Sequence, residues 1–256
     1  MNGRGRTQGN IYMYKHGVPM PEPVDFGVCD NGESVYYVTK WCDGEKLEDI
    51  LPTLSSEEQY AIGVNAGKLV AKISAVPVEE RELANPDWYE RYNSFMYESI
   101  RWFHKSGVEV ANARSITDYF YENRYLLKTR PQCYFHDDLQ PGNMLLTAEQ
   151  DIIVIDWEVH LFDNYGDPWW RSDYMNETPP HSATGFVHGW FGGEPPDEFW
   201  RVMMLYKVIG ALSVITWAYY HSPGSLEDVT NNCANSKFLE WHGGDICKIV
   251  PDWYLK

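Results

Sequence analysis

Between Cys133 and Glu158 short apolar runs alternate with dense polar clusters, and few folds can accommodate that alternation. Cys133-Tyr134-Phe135 runs into His136-Asp137-Asp138, Pro141-Gly142 turns the chain, and Asn143 opens the run Met144-Leu145-Leu146. A second run, Ile152-Ile153-Val154-Ile155, leads straight into Asp156-Trp157-Glu158. Apolar runs this short, bounded by turn residues, read as buried strands. The polar groups then stand at strand ends held by buried backbone, where a rigid site is best built. The reading is a β-rich segment from Gln132 to Asp156, with Asp156 on the neighbouring strand of a hairpin.

The chain around this segment reads as a small β piece followed by helices. Residues 1–10, polar and Gly-rich, are expected to form a loose arm. Val18 to Pro23 should be extended, since each proline biases its predecessor away from helix. Val24–Cys29 and Ser34–Trp41 read as strands joined by a hairpin turn at Asp30-Asn31-Gly32. Ser55 with Glu58 forms a capping box, and the helix behind it buries Ile62, Ala66, Leu69, Val70 and Ile73. Further helices are expected over Trp88–Lys105 and Ile116–Lys128, and in the tail from near Asp197 and near Ser225. The 13-residue apolar run Val208–Tyr220 is too short to span a bilayer.

Composition narrows the partners. A net charge of −16 repels phosphate backbones and anionic headgroups, which argues against nucleic acid or a membrane surface as partner. The same field favours a cationic small molecule. Five cysteines without a Cys-x-x-Cys pair indicate neither a disulfide framework nor a zinc site. With no signal-like segment at residues 1–10, a cytoplasmic location is expected.

The polar clusters supply what phosphoryl transfer requires: a carboxylate beside the attacking hydroxyl, and oxygen ligands that hold Mg²⁺ against nucleotide phosphates. Asp138 is placed to orient or deprotonate the hydroxyl, and Asn143 and Asp156 could share the metal. The pattern His136-x-Asp138-x-x-x-x-Asn143 followed by Ile155-Asp156 resembles the catalytic loop and metal-binding segment of the aminoglycoside phosphotransferase/choline kinase family. The segment Pro141-Gly142-Asn143-Met144-Leu145, Gly166-Asp167-Pro168, Val18 to Pro21 and Trp41-Cys42-Asp43-Gly44-Glu45 are similar to that family as well. The resemblance covers roughly residues 16–175.

This resemblance implies an α+β, protein-kinase-like fold with a rudimentary N-terminal β lobe and hinge over residues 1–43. Residues 44–256 would form a large, mainly helical C-terminal lobe carrying a catalytic β-hairpin. It implies Asp138 as catalytic base, Asn143 and Asp156 as Mg²⁺ ligands that also hold the nucleotide, and His136 as a brace for the loop. The backbone of Tyr37, Val38, Thr39 and Lys40, continuing to Trp41, would hold the base of ATP or GTP. Glu158 would stand beside the metal. The acceptor would be a small hydroxylated, cationic molecule such as an aminoglycoside, with Glu194, Asp197, Glu198, Glu227 and Asp228 as candidate acids around its cleft.

Two features depart from the family's pattern. Asp137 stands where a small residue, often Gly, is usual; strand alternation should turn it away from Asp138. Ahead of Val18 the family's phosphate-covering loop and phosphate-binding Lys have no clear counterpart, and Lys15 is a poor candidate. A non-catalytic nucleotide- or ligand-binding module is therefore the alternative. A metal-dependent phosphohydrolase built on His136-Asp137 would need further ligands at metal-type spacing, and the other histidines do not provide it.

Overall fold

The computed structural model describes residues 3–80, 82, 87–110, 113–157, 159–166, 174–175, 178–227, 229–230 and 248–255. The chain opens with a helix, α1 (Gly3–Lys15), where a loose arm was expected. Three glycines make this segment a poor helix former. Met13 is nevertheless fully buried and Asn10 nearly so, and tertiary packing of this kind is what stabilises most protein helices. Next, β1 (Pro23–Cys29) and β2 (Ser34–Thr39) form the expected antiparallel hairpin. Asp30, Asn31 and Gly32 all take positive φ at its turn.

A short strand, β3 (Glu45–Lys46), and one helical turn, α2 (Leu47–Ile50), lead into α3 (Ser56–Ser74). The capping box is present: Ser55 N–H donates to Glu58 Oε2 at 2.9 Å while Glu58 N–H donates to Ser55 Oγ at 3.3 Å. All five apolar positions foreseen on this helix are buried. α4 (Trp88–Ser106) is capped by Asp87 and closed by Gly107 in the left-handed region. α5 (Ala113–Asn123) ends earlier than expected because the chain tightens into a 3-10 turn over Arg124–Leu127.

The β-rich segment divides between two sheets instead of forming one unit. β4 (Gln132–Phe135) pairs antiparallel with a strand that was not foreseen, β7 (His160–Asp163). β5 (Met144–Leu146) pairs with β6 (Ile152–Val154) as a hairpin, and β3 completes that sheet in the order β3-β5-β6. The four residues of β7 carry no alternation to announce them. Their partner, 28 residues back in register from Gln132↔Asp163 to Phe135↔His160, makes them a strand.

Two long helices follow. α6 (Pro180–Phe191), also unforeseen, lies against α3, and α7 (Asp197–His221) starts where expected. The apolar run Val208–Tyr220 is part of this 25-residue helix, which by length and composition alone could cross a bilayer. Its setting is that of a core helix: it packs on α4 and α5, and Val202, Leu205, Val208, Leu212 and Ile215 have no exposed surface. The helix expected from near Ser225 is entered through a 3-10 turn over Pro223–Ser225, and the described residues Leu226, Glu227, Val229 and Thr230 are helical.

A buried polar knot joins β7 to α4 and α7. The Asp163 carboxylate, fully buried, accepts from Arg130 Nε (2.8 Å) and Nη2 (2.9 Å), Tyr206 Oη (2.6 Å) and Tyr165 N–H (2.8 Å). Tyr206 Oη in turn accepts from Trp88 Nε1 at 2.7 Å. A buried charge so fully partnered avoids the penalty of an unpaired one, and the knot holds the β4–β7 sheet whose end carries the site.

Candidate active site

The site begins where β4 ends at Phe135. His136 is 1% exposed, and its ring bridges two strand ends. Nδ1 accepts from Asp138 N–H at 3.3 Å, so the proton sits on Nε2, which donates to Ile155 O at 2.9 Å. The ring thereby ties the loop bearing Asp138 to the residue before Asp156. Burial pushes the imidazole below its ordinary value of 6.5, against the opposing effect of the Ile155 carbonyl and the nearby Asp138 and Asp156 charges.

That shift has a consequence for stability. A group held neutral in the fold contributes fully above its unfolded pKa, and the contribution is lost as pH falls below about 6.5 toward the lowered native value. Thermal melts across this window are expected to show a steeper acid-side fall for the native chain than for His136→Gln. Equal slopes would remove His136 as the source.

Asp138 and Asn143 form a second bridge. Asn143, 8% exposed, donates from Nδ2 to both the main-chain oxygen and Oδ2 of Asp138, each at 3.0 Å. Ile155 N–H donates to Asn143 O at 2.9 Å, which binds the β5 side of the hairpin to the stretch carrying Asp156. Asp156 itself has φ of 56°, so the chain turns sharply as it leaves β6. Asp138, Asn143 and Asp156 are thus drawn together by hydrogen bonds through His136 and Ile155.

Asp137 departs from its expectation in mechanism. It lies past the end of β4, with φ of 73°, so a left-handed turn and not strand alternation separates it from Asp138. Glycine suits that backbone best and Asp tolerates it better than most residues. Its Oδ2 stands 3.7 Å from His160 Nε2.

Beside these residues a cavity of about 620 Å³ opens between the β1–β2 hairpin and the end of β6. Tyr37, Thr39, Lys40 and Trp41 line one part of it, and Ile155 and Asp156 another. The strand expected to hold a base and the carboxylate expected to hold a metal therefore share one cavity. The Val38 side chain lies outside it, 44% exposed and opposite Asp25 on the other face of the hairpin. Asp138 and Asn143 adjoin the cavity through Ile155 without lining it.

Both lysines of the cavity are paired: Lys40 Nζ is 2.6 Å from Glu22 Oε2, and Lys46 Nζ is 3.0 Å from Glu48 Oε1. Lys15 faces a separate cleft of about 1010 Å³ with Lys68 and Lys72. Of the acids expected around an acceptor, Glu198 pairs with Arg130 at 3.1 Å, and Asp197 occupies the first turn of α7, where carboxylates complement the dipole. Glu158, Asp167, Pro168 and Asp228 lie outside the described residues. Sequence reasoning missed Asn10, which lines the cavity from α1; a lone Asn in a Gly-rich stretch carried no signal.

The donor set suits a hard cation. Asn143 spends its amide hydrogens on Asp138, which leaves Oδ1 as the ligating atom, and Asp156 supplies a carboxylate; oxygens of this kind are what Mg²⁺ takes, with water completing its shell. Among the described residues no group of three or more His, Cys, Asp and Glu is placed to hold a metal ion.

The sequence profile of the phosphotransferase enzyme family matches residues 11–199. Solved structures share the fold at low identity. A choline/ethanolamine kinase family protein from Mesorhizobium loti is 18% identical with a TM-score of 0.64, over 96% of this chain and 83% of that one. The ADP-bound aminoglycoside phosphotransferase APH(2'')-Ib is 14% identical with a TM-score of 0.64, over 92% and 83%. A spectinomycin phosphotransferase complexed with ADP and spectinomycin is 14% identical with a TM-score of 0.57, over 97% and 81%. None of the curated proteins matches the sequence. The likeness to these structures establishes the protein-kinase-like fold.

Proposed function

The chain belongs to the phosphotransferase enzyme family, and on that premise we propose that it is a small-molecule kinase moving the γ-phosphate of a nucleoside triphosphate to a substrate hydroxyl. One observation carries the reading: hinge strand β2 and Asp156 line a single cavity, and Asp156 is hydrogen-bonded through its neighbour Ile155 to the Asp138–Asn143 pair. The base would lie against the Tyr37–Trp41 backbone. Mg²⁺ held by Asp156 and Asn143 Oδ1 would neutralise charge on the phosphates. Asp138 would accept the hydroxyl proton, its carboxylate oriented by Asn143 Nδ2. The negative field of the chain favours a cationic acceptor. ADP in related structures supports the nucleotide, and the aminoglycoside and ethanolamine substrates named for such proteins support the acceptor class.

A second reading, a binding module without turnover, is favoured by the pairing of Lys40 and Lys46 with Glu22 and Glu48, which engages both lysines of the cavity with carboxylates instead of phosphate. Calorimetric titration with ATP, with and without Mg²⁺, beside Asp156→Ala tests the site. Mg²⁺-dependent binding that weakens at least about tenfold in the variant is expected, since a charged ligand is lost. A well-folded chain that binds no nucleotide at millimolar concentration would sink the proposal, and binding without turnover on any cationic, hydroxylated acceptor would favour the second reading.

A further inference from the structure

The cleft at the end of α1 has a charge unlike that of the chain as a whole. The sequence holds 37 acidic residues against 21 lysines and arginines, yet Lys15, Lys68 and Lys72 converge on this one space of about 1010 Å³. Several cationic side chains elsewhere are engaged: Lys40, Lys46, Arg101 and Arg114 pair with carboxylates, and Lys105 and Lys128 stand over aromatic rings. Among the described residues, Lys15, Lys68 and Lys72 have neither an ion pair nor a ring contact. Lys15 and Lys72 end their helices, where positive charge complements the dipole. Lys68 has no such role: it stands one turn before Lys72 on the same face of α3, and like charges at that spacing repel. Lys72 Nζ comes within 3.9 Å of the place a Cβ on Gly17 would take, so the lysines span from α3 to the end of α1.

Another part of the same wall is acidic. Glu149 and Asp151 line the cleft from the turn that joins β5 to β6. Three hydrogen bonds fix that turn: Thr147 N–H donates to Asp151 O at 2.9 Å, Gln150 N–H to Thr147 O at 3.0 Å and Asp151 N–H to Thr147 Oγ1 at 3.3 Å. Neither carboxylate forms an ion pair with any of the three lysines. Both signs of charge therefore line one cleft without neutralising each other, and both are available to a ligand. Residues 18–20 separate this cleft from the cavity beside Asp156: Met20 lines both, and Pro19 O accepts from Val154 N–H at 3.0 Å. Asp138, Asn143 and Asp156 do not line it.

We propose that this cleft is a second binding site, for a small phosphate monoester that also carries an ammonium group. Lysines hold a phosphate as point charges on flexible stems, and three of them offset its double charge. Glu149 and Asp151 would repel a ligand that is only anionic and attract one with a cation beside its phosphate. The inference stands apart from the nucleotide reading of the other cavity, and either can fail without the other.

The test is calorimetry on the full chain, without Mg²⁺ or nucleotide, using glucosamine 6-phosphate, glucose 6-phosphate and glucosamine in turn. Glucosamine 6-phosphate is expected to bind at least about threefold tighter than glucose 6-phosphate, which lacks only the ammonium. It should bind at least about tenfold tighter than glucosamine, which lacks the phosphate. Lys68→Gln/Lys72→Gln keeps good helix formers on an exposed face, so this double variant should melt no lower than the native chain. Its affinity for glucosamine 6-phosphate should fall at least about tenfold, as charge-assisted hydrogen bonds are lost. Glu149→Gln/Asp151→Asn should bring glucosamine 6-phosphate and glucose 6-phosphate to equal affinity. No binding of glucosamine 6-phosphate at millimolar concentration, binding unchanged in the lysine variant, or no preference over glucose 6-phosphate in the native chain overturns the proposal.

Discussion

Asp138→Asn is expected to reduce phosphoryl transfer by about 10²–10⁴-fold while the protein folds and binds nucleotide as before. The substitution is nearly isosteric. An amide oxygen at this position can still accept from Asn143 Nδ2, which now donates to Asp138 Oδ2 at 3.0 Å, and the bond that the main-chain N–H of residue 138 donates to His136 Nδ1 is untouched. What disappears is the capacity to take a proton from the attacking hydroxyl. Turnover measured as ADP release with the best acceptor found, or with water, gives the catalytic loss; calorimetry and a thermal melt show whether binding and fold survive. A variant within about tenfold of native turnover would mean that Asp138 is not the base, because general-base contributions are larger than that.

The second large effect is expected on stability, from Gly67→Ala. Gly63 and Gly67 on α3 face Gly185 and Gly189 on α6, and the two backbones touch where these residues lack side chains. A Cβ at any of the four would stand closer than 3.0 Å to backbone of the opposing helix: against Ser182 O, Phe186 O, Tyr60 O and Val64 O respectively. Ala is the better helix former by about 0.8–1.0 kcal/mol, which by itself would stabilise the variant. Overpacking costs about 1–3 kcal/mol and sometimes more. Here the obstacle is backbone, which no change of rotamer relieves, so the steric cost prevails and a net loss of about 2–3 kcal/mol is expected.

Urea unfolding measures it, with Gly224→Ala as control, since a Cβ there meets nothing within 4 Å. Doubling the change with Gly63→Ala should deepen the loss. A Gly67→Ala chain as stable as the native one would show that the two helices can part without cost. The effect would extend to the site as well, because α3 also packs on β4 and β6, the strands that lead into His136 and Asp156.

Much of this molecule was legible one segment at a time. The β1–β2 hairpin follows from its Asp-Asn-Gly turn, the start of α3 from Ser55 and Glu58, and its buried face from helical spacing. His136, Asp138, Asn143 and Asp156 were recognisable because apolar runs and turn residues bracket them at fixed short spacings. These signals arise from interactions within a few residues, and such interactions are written locally. The tertiary structure alone decided the rest. α1 is helical through burial of Met13 and Asn10 despite its glycines, and α6 exists because its glycines admit α3. β7 is a strand because β4 lies beside it, and Asp137 turns aside because β4 stops two residues earlier. Asn10 reaches the cavity by a hydrogen bond to Trp157, 147 residues away. Period, caps and turns depend on near neighbours and can be read along the chain, whereas a partner that arrives from far along the sequence leaves no local pattern to read.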